Sequence, residues 1–219
     1  MRKTLAAVVA LVCCLVSSAH AVSINYVTTT GVNSFPTNAP SGNIPNLSTD
    51  LLNNGAVASV NPFTGGVTGG LTDPSMSNGT TGFAFESSAQ NPANIGGSGT
   101  YTYNFNTVAS PLGYEIDQVD VFTGWQDFRS SQNVTVSYSL VSAPSVFIPI
   151  GTSMLERTDA GTTEGIITNG APGPIATGVA AIQFVEHDGQ DVYRELVVRG
   201  SALPEPASLV LCGLGFVGL

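Results

Sequence analysis

An all-β fold, an antiparallel sandwich or jelly roll, is predicted by three features of the 219-residue sequence. Tyr101, Tyr103 and Phe105 interleave with Thr102 and Asn104, and Val134, Val136, Tyr138 and Leu140 interleave with Thr135, Ser137 and Ser139, the period-2 pattern of strands with one buried face. Breakers such as Asn61-Pro62, Gly65-Gly66, Gly69-Gly70, Asp73-Pro74 and Asn91-Pro92 leave no room for an ordinary helix within residues 22–100. Apolar residues make up 42% of the chain, enough for one proper core and too many for a disordered acidic polypeptide.

The N-terminus comes first. Arg2 and Lys3 precede an apolar run from Leu5 to Val16, and Ala19-His20-Ala21 follows as a small-residue cleavage site, so residues 1–21 read as a secretory signal peptide cut after Ala21. The run is too short for a permanent membrane helix. Val12 before Cys13, and Cys13 before Cys14, do not supply the small residue that a lipoprotein box needs. Cleavage removes two of the three cysteines and leaves Cys212 alone, so the exported body, residues 22–202, holds itself together without an internal disulfide. It also leaves Arg129, Arg157, Arg194 and Arg199 against fifteen acids. A chain this acidic cannot assemble a basic patch, which excludes nucleic acid as a partner.

Beyond residue 100 the strands follow in order. Tyr114 to Thr123 reads as a strand in which Ile116 is out of phase with Val119 and Val121, implying a bulge or a change of face. Ala180 to His187 and Gln190 to Arg199 flank Asp188-Gly189, the signature of a two-residue type I′ hairpin. That register sets Glu186 opposite Asp191 at a solvated tip and Val185 opposite Val192.

The C-terminus begins with Leu203-Pro204-Glu205-Pro206, a stiff linker, and continues without charge from Ala207 to Leu219, with three glycines in an apolar stretch. A Pro-Glu-Pro motif before a terminal Gly-rich apolar segment, paired with a signal peptide, resembles the PEP-CTERM sorting signal. The resemblance covers residues 203–219 and rests on Pro204, Glu205 and Pro206, although no arginine cluster closes the segment. It implies transient anchoring in the inner membrane, processing by an exosortase, and delivery to the cell surface or extracellular polysaccharide matrix.

Three stretches within residues 71–200 resemble the galactose-binding-like, discoidin-type jelly rolls. They are Leu71-Thr72-Asp73 with Gly79-Thr80-Thr81-Gly82, Gly113-Tyr114-Glu115-Ile116 through Val121-Phe122-Thr123-Gly124-Trp125, and Val192-Tyr193-Arg194-Glu195-Leu196-Val197-Val198-Arg199-Gly200. Pro74 stands where that family often has glycine. The resemblance implies a structural Ca²⁺ on Asp73, Thr80 and Glu195, with carbonyls completing a shell of six to eight oxygens. The residues themselves also allow Asp73 to cap a turn and Glu195 to face solvent or pair with an arginine.

Trp125-Gln126-Asp127-Phe128-Arg129 is the candidate ligand loop: an aromatic face suits the C–H groups of a sugar, and Gln126, Asp127 and Arg129 suit its hydroxyls. Trp125 equally suits a core position, with Asp127 and Arg129 paired in the turn. Catalytic parts are scarce. His187 is the one histidine left after signal removal, the body has no cysteine nucleophile, and neither a Gly-x-Ser-x-Gly elbow nor a phosphate loop occurs. The expected protein is therefore non-catalytic, exported and carbohydrate-binding. A purely structural or adhesive matrix component is the alternative, and a glycoside hydrolase using paired carboxylates is a third reading.

Overall fold

The computed structural model describes residues 21–30, 47–52, 59–61, 71–72, 99–125, 128–187 and 191–205. The nine strands are β1 (Val22–Thr30), β2 (Ser59–Asn61), β3 (Thr100–Asn104), β4 (Tyr114–Trp125), β5 (Gln132–Leu140), β6 (Ala143–Leu155), β7 (Gly161–Asn169), β8 (Ala176–Glu186) and β9 (Tyr193–Ala202). Among the described residues they are joined by irregular segments and by short 3-10 turns at Leu47–Thr49 and Phe128–Ser130, with no α-helix. The all-β reading of the sequence holds, and every pairing is antiparallel. Residues 1–20 of the expected signal peptide (1–21) and residues 206–219 lie outside the described residues; among the described residues no helix is long and apolar enough to cross a membrane.

The pairings form two layers of one curled sheet. One layer runs β1-β7-β4-β9 and the other β2-β3-β8-β5-β6. Strand β4 is the seam: Tyr114 and Ile116 pair with Val179 and Ala176 of β8, whereas Gln118 to Trp125 pair with Thr168 to Gly161 of β7. The register shift between Ile116 and Gln118 is the expected irregularity, and it lets Ile116, Val119 and Val121 all enter the core. There they join Ile167, Leu196 and Val198 from their own layer and Tyr101, Tyr103, Val134, Val136, Ile182 and Phe184 from the other. Each such side chain stabilises the fold by about 1.5–3 kcal/mol relative to an exposed position.

A buried amide ties the layers together. Gln132 at the start of β5 donates through Nε2 to the carbonyls of Val121 on β4 (2.7 Å) and Thr163 on β7 (3.0 Å), and its Oε1 accepts from the Ser153 hydroxyl on β6 (2.8 Å). Gly165 makes room for this group, since a Cβ there would run into the Gln132 and Ser153 side-chain oxygens. Among the described residues strand β6, with Pro144 and Pro149, pairs only with β5 and so forms an edge, where missing N–H donors are tolerated.

The strands expected to flank the Asp188-Gly189 turn do not pair with each other among the described residues, and the turn itself lies outside them. Strand β8 already has β5 along one side and β3 with the start of β4 along the other, and Val179 to Ile182 are buried in succession, as in a strand enclosed on both faces. Strand β9 instead lies against β4, where Leu196 and Val198 meet Val121 and Val119 in register. Strands β8 and β9 therefore lie in different layers. Val185 pairs with Thr100 and Thr135 rather than Val192, and Glu186 and Asp191 are both buried rather than solvated.

Candidate functional site

Strand β4 carries the chain to one end of the sandwich, where Trp125 pairs in register with Gly161. The side chain of Trp125, and Gln126 and Asp127 entirely, lie outside what the structure describes. The turn that follows is firmly held. The Arg129 carbonyl accepts from the Val192 N–H (2.9 Å), the Phe128 carbonyl accepts from the Ser131 N–H (2.9 Å) and hydroxyl, and the Ser130 carbonyl accepts from the Thr123 hydroxyl (2.9 Å). The Ser130 hydroxyl in turn donates to the carbonyl of Asp159 (2.9 Å). On this pinned turn Arg129 is half-buried, while the Phe128 ring is 47% exposed. The exposed aromatic described in the loop is thus Phe128, which had no role in the sequence reading; its side chain follows the more conspicuous Trp125 by only three positions.

Of the three positions tied to calcium, Asp73 and Thr80 lie outside the described residues. Glu195 is fully buried on β9 opposite Phe122, which overturns the alternative that it faces solvent. Its charge, with burial as the larger cause, raises the Tyr103 hydroxyl above the usual phenol range. A fully buried carboxylate suits the oxygen shell of a hard cation. Among the described residues no group of three or more His, Cys, Asp or Glu side chains is placed to hold a metal. His187 is exposed, and its Nε2 lies 2.8 Å from the Thr135 hydroxyl.

A charged group that the sequence reading passed over lies on β4, β7 and β9. Arg199 donates through Nε to Asp120 Oδ2 (2.9 Å), with Nη2 also 2.9 Å from that oxygen, and Gln118 donates to Asp120 Oδ1. Asp50 bridges the backbone at Arg199 and accepts from the N–H groups of Leu52 and Val198, both at 3.0 Å. Burial raises the carboxyls of Asp50 and Asp120 despite these contacts. Glu164 is pushed up to about 7, first by burial and then by the nearby Asp120 charge, with Arg199 opposing. Alternation along β4 is the signal for this group: Gln118, Asp120 and Phe122 share the face opposite Val119 and Val121.

No protein-family model matches the chain, and no curated protein matches it. Among solved structures, one of allantoicase aligns over 69% of this chain with a TM-score of 0.45 and 16% identity; this chain spans 43% of that one. A second, CBM32-1 from a family 31 glycoside hydrolase of Clostridium perfringens, aligns over 48% of this chain and 70% of its own, with a TM-score of 0.31 and 11% identity. Likenesses at this level carry no argument about activity or ligand.

Proposed function

We propose that the chain is an exported, non-catalytic cell-surface or extracellular-matrix protein whose sandwich binds carbohydrate at the Trp125–Arg129 end. The observation that carries this reading is the exposed Phe128 ring beside Arg129 on a turn fixed by hydrogen bonds from Thr123, Ser131 and Val192. An exposed aromatic ring on a preformed turn stacks a sugar ring at little ordering cost, and Arg129, next in sequence, is the residue that would bind its hydroxyls. The terminal segments supply the route: a signal peptide over residues 1–21 for export, and the Pro204-Glu205-Pro206 segment for transient membrane association and exosortase processing. The polysaccharide of the matrix is the partner this route implies.

Glycan-array binding by residues 22–202 tests the proposal. Saturable binding that is weakened in both Phe128→Ala and Arg129→Ala supports it, whereas uniform silence favours a structural or adhesive component without a ligand site. Structural Ca²⁺ on Glu195, Asp73 and Thr80 belongs to the same proposal. Chelation is expected to lower the melting temperature of the wild type but not of Glu195→Gln; an unchanged wild-type melt with metal absent refutes it.

A further inference from the structure

The opposite end of the sandwich holds a second aromatic feature. A cleft of about 300 Å³ opens where β3 ends and β4 begins. Its lining includes Leu51, Leu52, Phe105 and Tyr114, together with Asn104 and Asn106, which are exposed. The two rings are tilted at 49° with centroids 5.1 Å apart, so they form one continuous apolar surface. That surface is preformed. The Tyr114 hydroxyl donates to the Asn106 carbonyl (3.1 Å), the Ala109 N–H donates to Asn106 Oδ1 (3.1 Å), and the Phe105 N–H donates to the Ala180 carbonyl (2.9 Å).

We infer that this cleft is a binding site for a neutral saccharide, independent of the Phe128 turn. No described residue lining it is charged, so it offers nothing to hold an ionic ligand. Two half-buried rings beside two carboxamides match the two faces of a pyranose: the rings cover C–H groups, while the amides donate to and accept from hydroxyls. The volume lies at the lower bound of small-molecule sites, ~300 Å³, which fits a short saccharide and not a wide polymer groove. From Tyr114 to Trp125 the chain of β4 runs about 36 Å at ~3.3 Å per residue, so a ligand here cannot share contacts with the turn at the far end.

Amide-resolved NMR of the full chain, kept soluble in a non-glycosidic detergent and titrated with neutral methyl pyranosides and their oligosaccharides, tests the inference. The amides of Asn104, Asn106 and Tyr114 are expected to shift saturably. Asn104→Ala, an exposed change that spares the core, is expected to weaken this response about tenfold while leaving Phe128 and Arg129 responses unchanged. Phe128→Ala should do the reverse. Absence of shifts at the cleft with every sugar, or shifts there that survive in both Asn104→Ala and Tyr114→Ala, overturns the inference whether or not the Phe128 turn responds. Silence at the turn with saturable shifts at the cleft overturns the function proposed for the turn alone.

Discussion

Glu164 sits on β7 in register with Phe122 of β4 and Val27 of β1, close enough to Asp120 and Arg199 to feel both charges. Burial raises its carboxyl from 4.5 to about 7. Below about 4.5 the group is protonated in both folded and unfolded chains. As pH rises towards 7 the unfolded chain ionises first, so stability present in acid is lost across this window. The loss is of order 1–3 kcal/mol. Asp50 and Asp120, also raised, act with the same sign. Glu164→Gln is therefore expected to flatten the decline in denaturation midpoint between pH 4.5 and 7; an unchanged slope would show that Glu164 does not carry it.

At the scale of elements, the contact between β4 and β9 depends on Gly200. A Cβ at this position would run into the carbonyl oxygen of Glu115, so the two backbones approach more closely than any other residue allows. Gly200→Ala is expected to destabilise the fold by roughly 1–3 kcal/mol, the cost of forcing atoms into a packed position. Chemical denaturation measures it, and a neutral result would disprove the close approach. The same pair of strands shows what could be read from sequence and what could not. The alternation of Tyr101–Phe105 and of Val134–Leu140 is local and was legible, as was the irregularity at Ile116. The partner of β9 was not. Asp188-Gly189 favours a tight turn locally, but which edge is vacant depends on β3, β5 and β4, all distant in sequence. Strands β6 and β7 were obscured by Pro144, Pro149, Gly161 and Gly165, residues that usually mark loops; here the prolines fit an edge strand, Gly161 lets the Thr29 carbonyl of β1 approach, and Gly165 makes room for the buried Gln132. For the candidate site, composition drew attention to Trp125–Arg129, but exposure is a property of packing, so Phe128 emerged only from the structure.

Across the whole molecule, the chain leaves the sandwich at Leu203, whose N–H donates to the Gly113 carbonyl (3.0 Å), next to the first residue of β4. The Phe128 turn follows the last residue of β4. If residues beyond Leu203 are tethered and a ligand pulls on the Phe128 turn, tension enters β4 through its C-terminal end and leaves through that of β9, and these ends point in opposite directions. Nine residue pairs join the two strands, from Tyr114↔Ala202 to Thr123↔Tyr193. Under that geometry the strands are loaded in shear, with their hydrogen bonds strained together instead of peeling open one at a time. Single-molecule force spectroscopy should find a much higher rupture force when pulling between positions 128 and 203 than between points that unzip β5 from β6, and equal forces for the two would contradict it. Such a domain would resist mechanical detachment far better than its thermal stability suggests.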